Sequence, residues 1–346
     1  MGIKTINDFS KSPIPEQEAI LLKLAYQSLS AWELEGQLRL IKQRENAVYE
    51  LVTNEGQRYA LRIHRANYHS NAALDSERSW IKALGEFGLG VPNLIPTKSG
   101  QSITIQDSDE IDEIRQIDLL AWVNGEQIGS VEDGLGEDPR VVRKIYLAIG
   151  STAARIHNQA TSWELPEHFQ RHSWDVDGLV GQDPLWGQFW KLGALSDKQR
   201  LLMLEARDAL QQDLQAFGQT EKNYSMIHAD LVPENILVDG DLVQIIDFDD
   251  AGFGWHLFEL ATALYFIQDD GHYPVAKAAL MDGYRQYREL SDEHLESLPM
   301  FIAARSLTYL GWVHTRQGTE TAIELTPSLI EMSCRVVYSY LQSRNS

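Results

Sequence analysis

Two periods of hydrophobicity divide the chain. Over 37–43, 46–53 and 58–64, apolar and polar residues alternate or run together across strand-length segments. The polar link Asn54-Glu55-Gly56-Gln57 joins the last two, which predicts a β-meander. Ahead of it, PEQEAILLKLAYQSLS places Leu22, Ala25, Tyr26 and Leu29 at helical spacing behind Pro13 and Pro15. A second helix is expected over 70–87, stopped by Gly88 and Gly90 before Pro92. SITIQ at 102–106 and IRQIDLLAWV at 114–123 add two strands, so the order is β-β-β-α-β-β: a five-stranded antiparallel sheet carrying one helix.

The turn Asn124-Gly125-Glu126 and the Gly-, Asp- and Glu-rich stretch to Asp138 mark a junction, which divides the chain into 1–124 and 125–346. Beyond it the period becomes helical. Val141, Val142, Ile145, Ile149, Ala153 and Ile156 form one stripe, and similar segments recur at 196–217, 255–268, 274–289 and 293–315. One β interruption, MIHAD…NILVDGDLVQIIDF at 226–250, holds Asp239-Gly240 as a tight-turn signal between ILV and LVQII. The expected class is α+β, with a small antiparallel-sheet lobe followed by a larger, mostly helical one.

Composition narrows what such a molecule does. The 346 residues include 50 Asp and Glu against 30 Lys and Arg, a formal charge of −20, so nucleic acid is not an expected partner. Apolar runs all fall short of the roughly 20 residues that span a bilayer. Cys334 is the single cysteine, and the opening MGIKTINDFS lacks the apolar stretch of a secretion signal. A reducing cytoplasm is the expected location. Gly2 is followed by Ile6 where a myristoylation motif has Ser or Thr, so no lipid anchor is expected.

Candidate chemistry concentrates in the β interruption, where His228-Ala229-Asp230-Leu231-Val232-Pro233-Glu234-Asn235 stands at one end of the hairpin and Asp247-Phe248-Asp249 at the other. Phosphoryl transfer asks a protein mainly to position reactants and neutralise phosphate charge through metal ions held by oxygen ligands. Asp247 and Asn235 have that chemistry, and Asp230 can hold an attacking hydroxyl in line. The plain alternative is a set of turn-forming Asp and Asn residues at strand ends. Four such residues in register across one hairpin argue against it.

His228-x-Asp230-x4-Asn235 followed by Ile246-Asp247-Phe248-Asp249 resembles the catalytic loop and metal-binding segment of the aminoglycoside phosphotransferase and choline kinase superfamily. LRIHRANYHS, HADLVPENILVDGD and IIDFDDAG…LFELATAL are most similar to its branch of type II homoserine kinases, hydroxylysine kinases and bacterial stress response kinases. The resemblance spans about 30–315. It implies a two-lobed, protein-kinase-like fold with ATP in the cleft, Asp230 as base, Asn235 and Asp247 as Mg2+ ligands and His228 as a scaffold of the catalytic loop. It also assigns Trp122 and Val123, at the end of the last sheet strand, to the nucleotide. The expected acceptor is the hydroxyl of a small amino alcohol or hydroxy amino acid. A protein Ser/Thr kinase of the stress response type and a non-catalytic nucleotide-binding module are the alternatives.

This chain departs from kinases in two places. Arg62 occupies the third-strand position where protein kinases carry a phosphate-binding Lys, and its planar fork can still bind phosphate. A glycine-rich loop is absent: Gln43-Arg44-Glu45-Asn46-Ala47 has no glycine, which leaves the Asn46 side chain and backbone amides to cover the phosphates. Helix geometry adds a separate argument. Glu77 lies on the apolar stripe of Leu74, Ile81 and Leu84, and a carboxylate aimed at a core needs a partner, for which Arg62 is the candidate. Asp230, Asp247, Asp249 and Asp250 together favour an acceptor bearing an ammonium. The nine tryptophans could box such a cation, although core packing is the plainer role. His157 and His256 read as packing residues.

Overall fold

The computed structural model describes Phe9, 12–43, 46–108, 110–130, 134–240 and 242–344. It divides into two compact units, Met1–Asn124 with Leu165–Gln170, and Gly125–Glu164 with Arg171–Ser346. The short segment 165–170, expected in the second unit, therefore belongs to the first.

In the first unit, α1 (Ile14–Ser28) precedes a sheet of β1 (Gly36–Gln43), β2 (Ala47–Thr53), β3 (Arg58–Ile63), β4 (Thr104–Ser108) and β5 (Ile111–Ala121). Helix α2 (Asn71–Glu86) follows β3, its first turn capped by Ser70, whose Oγ accepts the Ala73 N–H. The strand order is β1-β2-β3-β5-β4, antiparallel throughout, and Arg62 pairs with Asp118. Period-two alternation sorts the two faces. Tyr49, Leu51, Leu61, Ile63, Ile117 and Leu119 form a core with Ile20, Leu21 and Leu24 of α1. Arg62 and Asp118 point to the opposite face, where Glu77 and Arg78 of α2 meet them. The sheet thus carries a helix on each face.

The second unit contains β6 (Glu126–Gln127), α3 (Pro139–Ser162), β7 (Ser173–Trp174), α4 (Val176–Val180), α5 (Asp197–Phe217), β8 (Tyr224–Ile227), β9 (Ile236–Asp239), β10 (Leu242–Ile245) and β11 (Gly252–Trp255). Helices α6 (His256–Tyr265), α7 (Tyr273–Arg285), α8 (Asp292–Leu295), α9 (Leu298–Thr315) and α10 (Glu320–Ser343) complete it. Helices α3 and α7 approach through small residues: a Cβ on Gly150 would stand 2.0 Å from the Leu280 carbonyl oxygen, and one on Gly283 would stand 2.1 Å from that of Leu147. The hairpin β9–β10 turns at Gly240, whose φ of 61° suits glycine, with Asp239 as the last paired residue.

Several elements lay outside the sequence reading, among them β7, β11 and α10. Strand β11, four residues long and glycine-rich, pairs with the two-residue β7 on one side and with β8 on the other, and both are too short to leave a pattern. Helix α10 carries Pro327 in its interior, an ordinary stop signal. Its buried Leu329, Ile330, Ser333, Val337, Tyr340 and Leu341 offset the lost backbone bond by packing. No helix among the described residues is long and apolar enough to cross a membrane.

Candidate active site

The candidate catalytic segment starts where β8 ends. Its backbone is held by α6, whose buried Glu259 accepts the His228 N–H at 3.0 Å and the Ala229 N–H at 2.6 Å, one on each carboxylate oxygen. Ala229 has a φ of 63° and Asp247 one of 65°, left-handed values that cost a non-glycine residue about 1–2 kcal/mol each. The two Glu259 bonds are the visible support for the first. Burial pushes the Glu259 carboxyl up to about 7, against the two N–H bonds, which favour the charged form.

His228 is fully buried, and its ring joins the two ends of the hairpin. Nε2 donates to the Ile246 carbonyl at 3.0 Å, while Nδ1 accepts the Asp230 N–H at 3.3 Å, which identifies the neutral Nε2–H tautomer. With both nitrogens bonded to backbone, His228 has the geometry of a scaffold and not of a group that meets substrate. The Phe248 ring packs against it at 4.7 Å.

Asp230 is gripped through both carboxylate oxygens. Asn235 Nδ2 donates to its Oδ2 at 2.9 Å and to its backbone carbonyl at 2.8 Å, and Arg305 Nη2 donates to Oδ1 at 3.3 Å. The Asp230 side chain remains 27% exposed, enough to meet an acceptor. With the Asn235 nitrogen committed inward, its amide oxygen is the end left for a cation. Together with the exposed Asp247 carboxylate it offers hard oxygen donors of the kind Mg2+ prefers. These donors fit a divalent metal.

The segment after Asp247 is clamped by Arg171 and His172, which the sequence reading did not single out, and by Trp174. Arg171 Nε donates to the Ala251 carbonyl at 2.6 Å, and Nη2 donates to the Asp249 carbonyl at 2.6 Å. His172 Nε2 and Trp174 Nε1 reach the Asp250 carbonyl at 3.0 and 2.9 Å. The clamp holds Asp249 and Asp250 by their backbone carbonyls.

In the first unit Arg62 and Glu77 meet as the helix argument expects, Nη2 to Oε1 at 3.0 Å, with side chains 7% and 0% exposed. The pair is buried, and a third residue shares it. Asp118 receives Arg62 in a two-pronged contact, Nε to Oδ1 at 2.9 Å and Nη2 to Oδ2 at 2.7 Å, and also Arg78 Nη2 at 2.8 Å and His64 Nε2 at 3.1 Å. Burial opposes the Asp118 charge, yet Arg62, His64 and Arg78 hold its carboxyl well below the usual range. Arg62 is thus first a member of a buried ion cluster.

The remaining nucleotide candidates stand in the same unit. Asn46 Oδ1 accepts the Arg65 N–H at 3.4 Å, and Arg44 and Glu45 beside it lie outside the described residues. Trp122 lies under the Arg58 guanidinium at 4.2 Å, and Val123 follows it half-buried.

The imagined aromatic box exists, but its cation is the chain's own. Arg305 lies 4.7 Å from the Trp186 ring and 4.4 Å from that of Tyr309. His157 and His256 are buried and stacked at 4.1 Å, as packing residues.

Comparison with known proteins assigns the class. The chain belongs to the phosphotransferase enzyme family, whose profile it matches over residues 37–290. It is 24% identical over 291 residues, 80% of each chain, to amicoumacin kinase of Bacillus subtilis (strain 168). To a homoserine kinase of Methylobacillus glycogenes it is 27% identical over 197 residues, 54% of this chain and 58% of that one. A microcompartment-associated aminopropanol kinase superposes with a TM-score of 0.82 at 28% identity, covering 93% of this chain and 98% of that one. An amicoumacin kinase in complex with AMP-PNP, Ca2+ and Ami shares the fold, with a TM-score of 0.72, 20% identity and coverage of 93% and 96%. The chain is a phosphotransferase with the protein-kinase-like fold that the resemblance implied.

Proposed function

We propose that this phosphotransferase moves the γ-phosphoryl group of ATP to the hydroxyl of a small amino alcohol or hydroxy amino acid. The observation that carries the reading is the Asp230 carboxylate, part-exposed and held through both oxygens within hydrogen-bond reach of Asn235 and Arg305. Asp230 accepts the hydrogen bond of the acceptor hydroxyl and aims its oxygen at the phosphorus. Asn235 and Asp247 hold Mg2+, which when bound supplies charge neutralisation on the phosphates. Arg62, fixed by Glu77 and Asp118, is the cation for the nucleotide phosphates, and Asn46, Trp122 and Val123 line the rest of its site. Aminopropanol and homoserine, named for two of the similar kinases, each combine an amino group with a hydroxyl. That combination suits a site where Asp230, Asp247, Asp249 and Asp250 outnumber Arg305.

The test has two arms. Calorimetric titration of ATP with and without Mg2+ should show metal-dependent binding that Asp247→Ala removes and Asp230→Asn preserves. Turnover with labelled ATP should then appear on amino alcohols or hydroxy amino acids in a panel that also holds aminoglycosides, glycerate-like acids, casein and the enzyme itself. Asp230→Asn should lower that turnover about 10²–10⁴-fold. Label on protein alone would reverse the acceptor class, and ATP binding indifferent to metal would leave only a nucleotide-binding module.

A further inference from the structure

Helix α9 is apolar almost throughout, with Phe301, Ile302, Ala304, Leu307 and Leu310 all buried, and in its middle stands Arg305 with no exposed surface. An arginine keeps its proton under any ordinary condition, so such burial requires compensation. The compensation is visible. Burial works against the charge, but the Tyr309 oxygen and the Asp230 and Asp250 carboxylates outweigh it and hold the guanidinium more firmly protonated than in water. The Tyr309 hydroxyl accepts from Nη2 at 2.9 Å, and the rings of Tyr309, Trp186, Phe258 and Trp174 lie 4.4, 4.7, 5.4 and 5.9 Å from the guanidinium carbon. Nε and Nη1 are buried with no hydrogen-bond partner among the described residues. The carboxylate it touches is that of Asp230, at 3.3 Å.

A charge kept at such expense inside an apolar helix, and bonded to the residue on which the proposed chemistry turns, calls for a reason beyond packing. Structural stability does not supply one, since an apolar residue of similar volume in this seat would cost nothing in desolvation. Asp230 supplies one. A carboxylate on a left-handed loop can swivel about its last torsion, and a base that must aim one lone pair at an acceptor hydroxyl has to be prevented from doing so. Asn235 restrains Oδ2, and Arg305 restrains Oδ1. We propose that Arg305 is a positioning residue: seated in its aromatic box, it fixes the rotamer of Asp230 and thereby the aim of the acceptor hydroxyl. This rests on the reading of Asp230 given above.

The full chain bearing Arg305→Met tests the idea, because methionine fills the aromatic seat without charge and Asp230 is exposed enough to be hydrated when its partner leaves. Metal-dependent ATP affinity should stay within about two-fold, while kcat falls about 10²-fold, the scale of loss that misplacing a reacting group produces. Arg305→Lys, which keeps a charge without the fork, should recover part of that loss. Adding Arg305→Met to Asp230→Asn should cost nothing further. Guanidinium at millimolar concentration should restore turnover to Arg305→Ala saturably, and should do nothing for Asp230→Asn. A purely structural arginine would give a different pattern, with ATP affinity and kcat lost together and no rescue in a folded Ala variant. That pattern, or an unchanged kcat in Arg305→Met, overturns the proposal. If Arg305→Ala does not fold, the kcat-against-affinity split in Arg305→Met decides alone. If Asp230→Asn still turns over at the wild-type rate, the reading of Asp230 has failed instead, and the role of Arg305 falls with it.

Discussion

At the scale of single residues, the buried ion cluster shows how far a sequence argument reaches. Glu77 was legible because a helix repeats every 3.6 residues, so a carboxylate on an apolar stripe announces itself. Asp118 was not, although it sits inside the apolar run IRQIDLLAWV: its partner is chosen by which residue of β3 stands opposite, and register belongs to the assembled sheet. Its presence changes what Arg62 substitutions should do. Arg62→Met strips the cation from two buried carboxylates and should cost about 3–5 kcal/mol in urea unfolding, in addition to weakening ATP binding. Adding Glu77→Gln removes one of the stranded charges, so the double variant should be more stable than Arg62→Met alone, Asp118 retaining Arg78 and His64. Additive losses would show that Glu77 does not depend on Arg62 for its charge balance.

Among the elements, α6 holds the backbone of the candidate catalytic loop, and the sequence carried half of that arrangement. The loop, the hairpin and the segment after it were readable, because phosphoryl transfer needs specific groups at fixed spacing and a tight turn brings them together. Glu259 was not, since LFELATAL is a helix that looks packed on every side, and only the structure shows its carboxylate turned to the loop backbone. Arg171 and Arg305 escaped for the same reason: a single basic residue in a sequence says nothing of the carbonyl or carboxylate it reaches. Glu259→Gln keeps the shape and one accepting oxygen, but its amide nitrogen cannot accept the second N–H. It should cost about 1–3 kcal/mol in unfolding experiments. Turnover should fall as well, because Ala229 loses support for its left-handed conformation. Unchanged turnover in a destabilised Glu259→Gln variant would show that the loop holds its shape without α6.

For the whole molecule, the buried groups behind the catalytic loop set how stability follows pH. The sequence could not have shown this, because each of these groups is ordinary until it is buried. Glu259, raised from 4.5 to about 7 by burial, binds its proton more tightly when folded. Its contribution is complete below pH 4.5 and is lost as the pH rises through 7. His256, lowered from 6.5 to about 3 by burial and by Arg288, behaves oppositely, and so does His157, held well below 6.5 by burial, His256 and Arg288. Their contributions are complete above pH 6.5 and are lost as the pH falls. Between pH 4.5 and 6.5 two histidines work against one carboxyl, so stability should rise by about 1.4 kcal/mol per pH unit, the value of one net proton. Of these three groups only Glu259 still titrates above 6.5, and its loss should lower stability slightly to about pH 7.5. Urea unfolding at half-unit intervals from pH 5 to 8 should therefore give a maximum near 6.5. His256→Gln removes one of the two histidines and should leave the acid limb nearly flat, because the remaining histidine and Glu259 then cancel. An acid limb as steep in His256→Gln as in the wild type would mean that other groups drive the loss of stability in acid and that the stacked pair behind the loop does not.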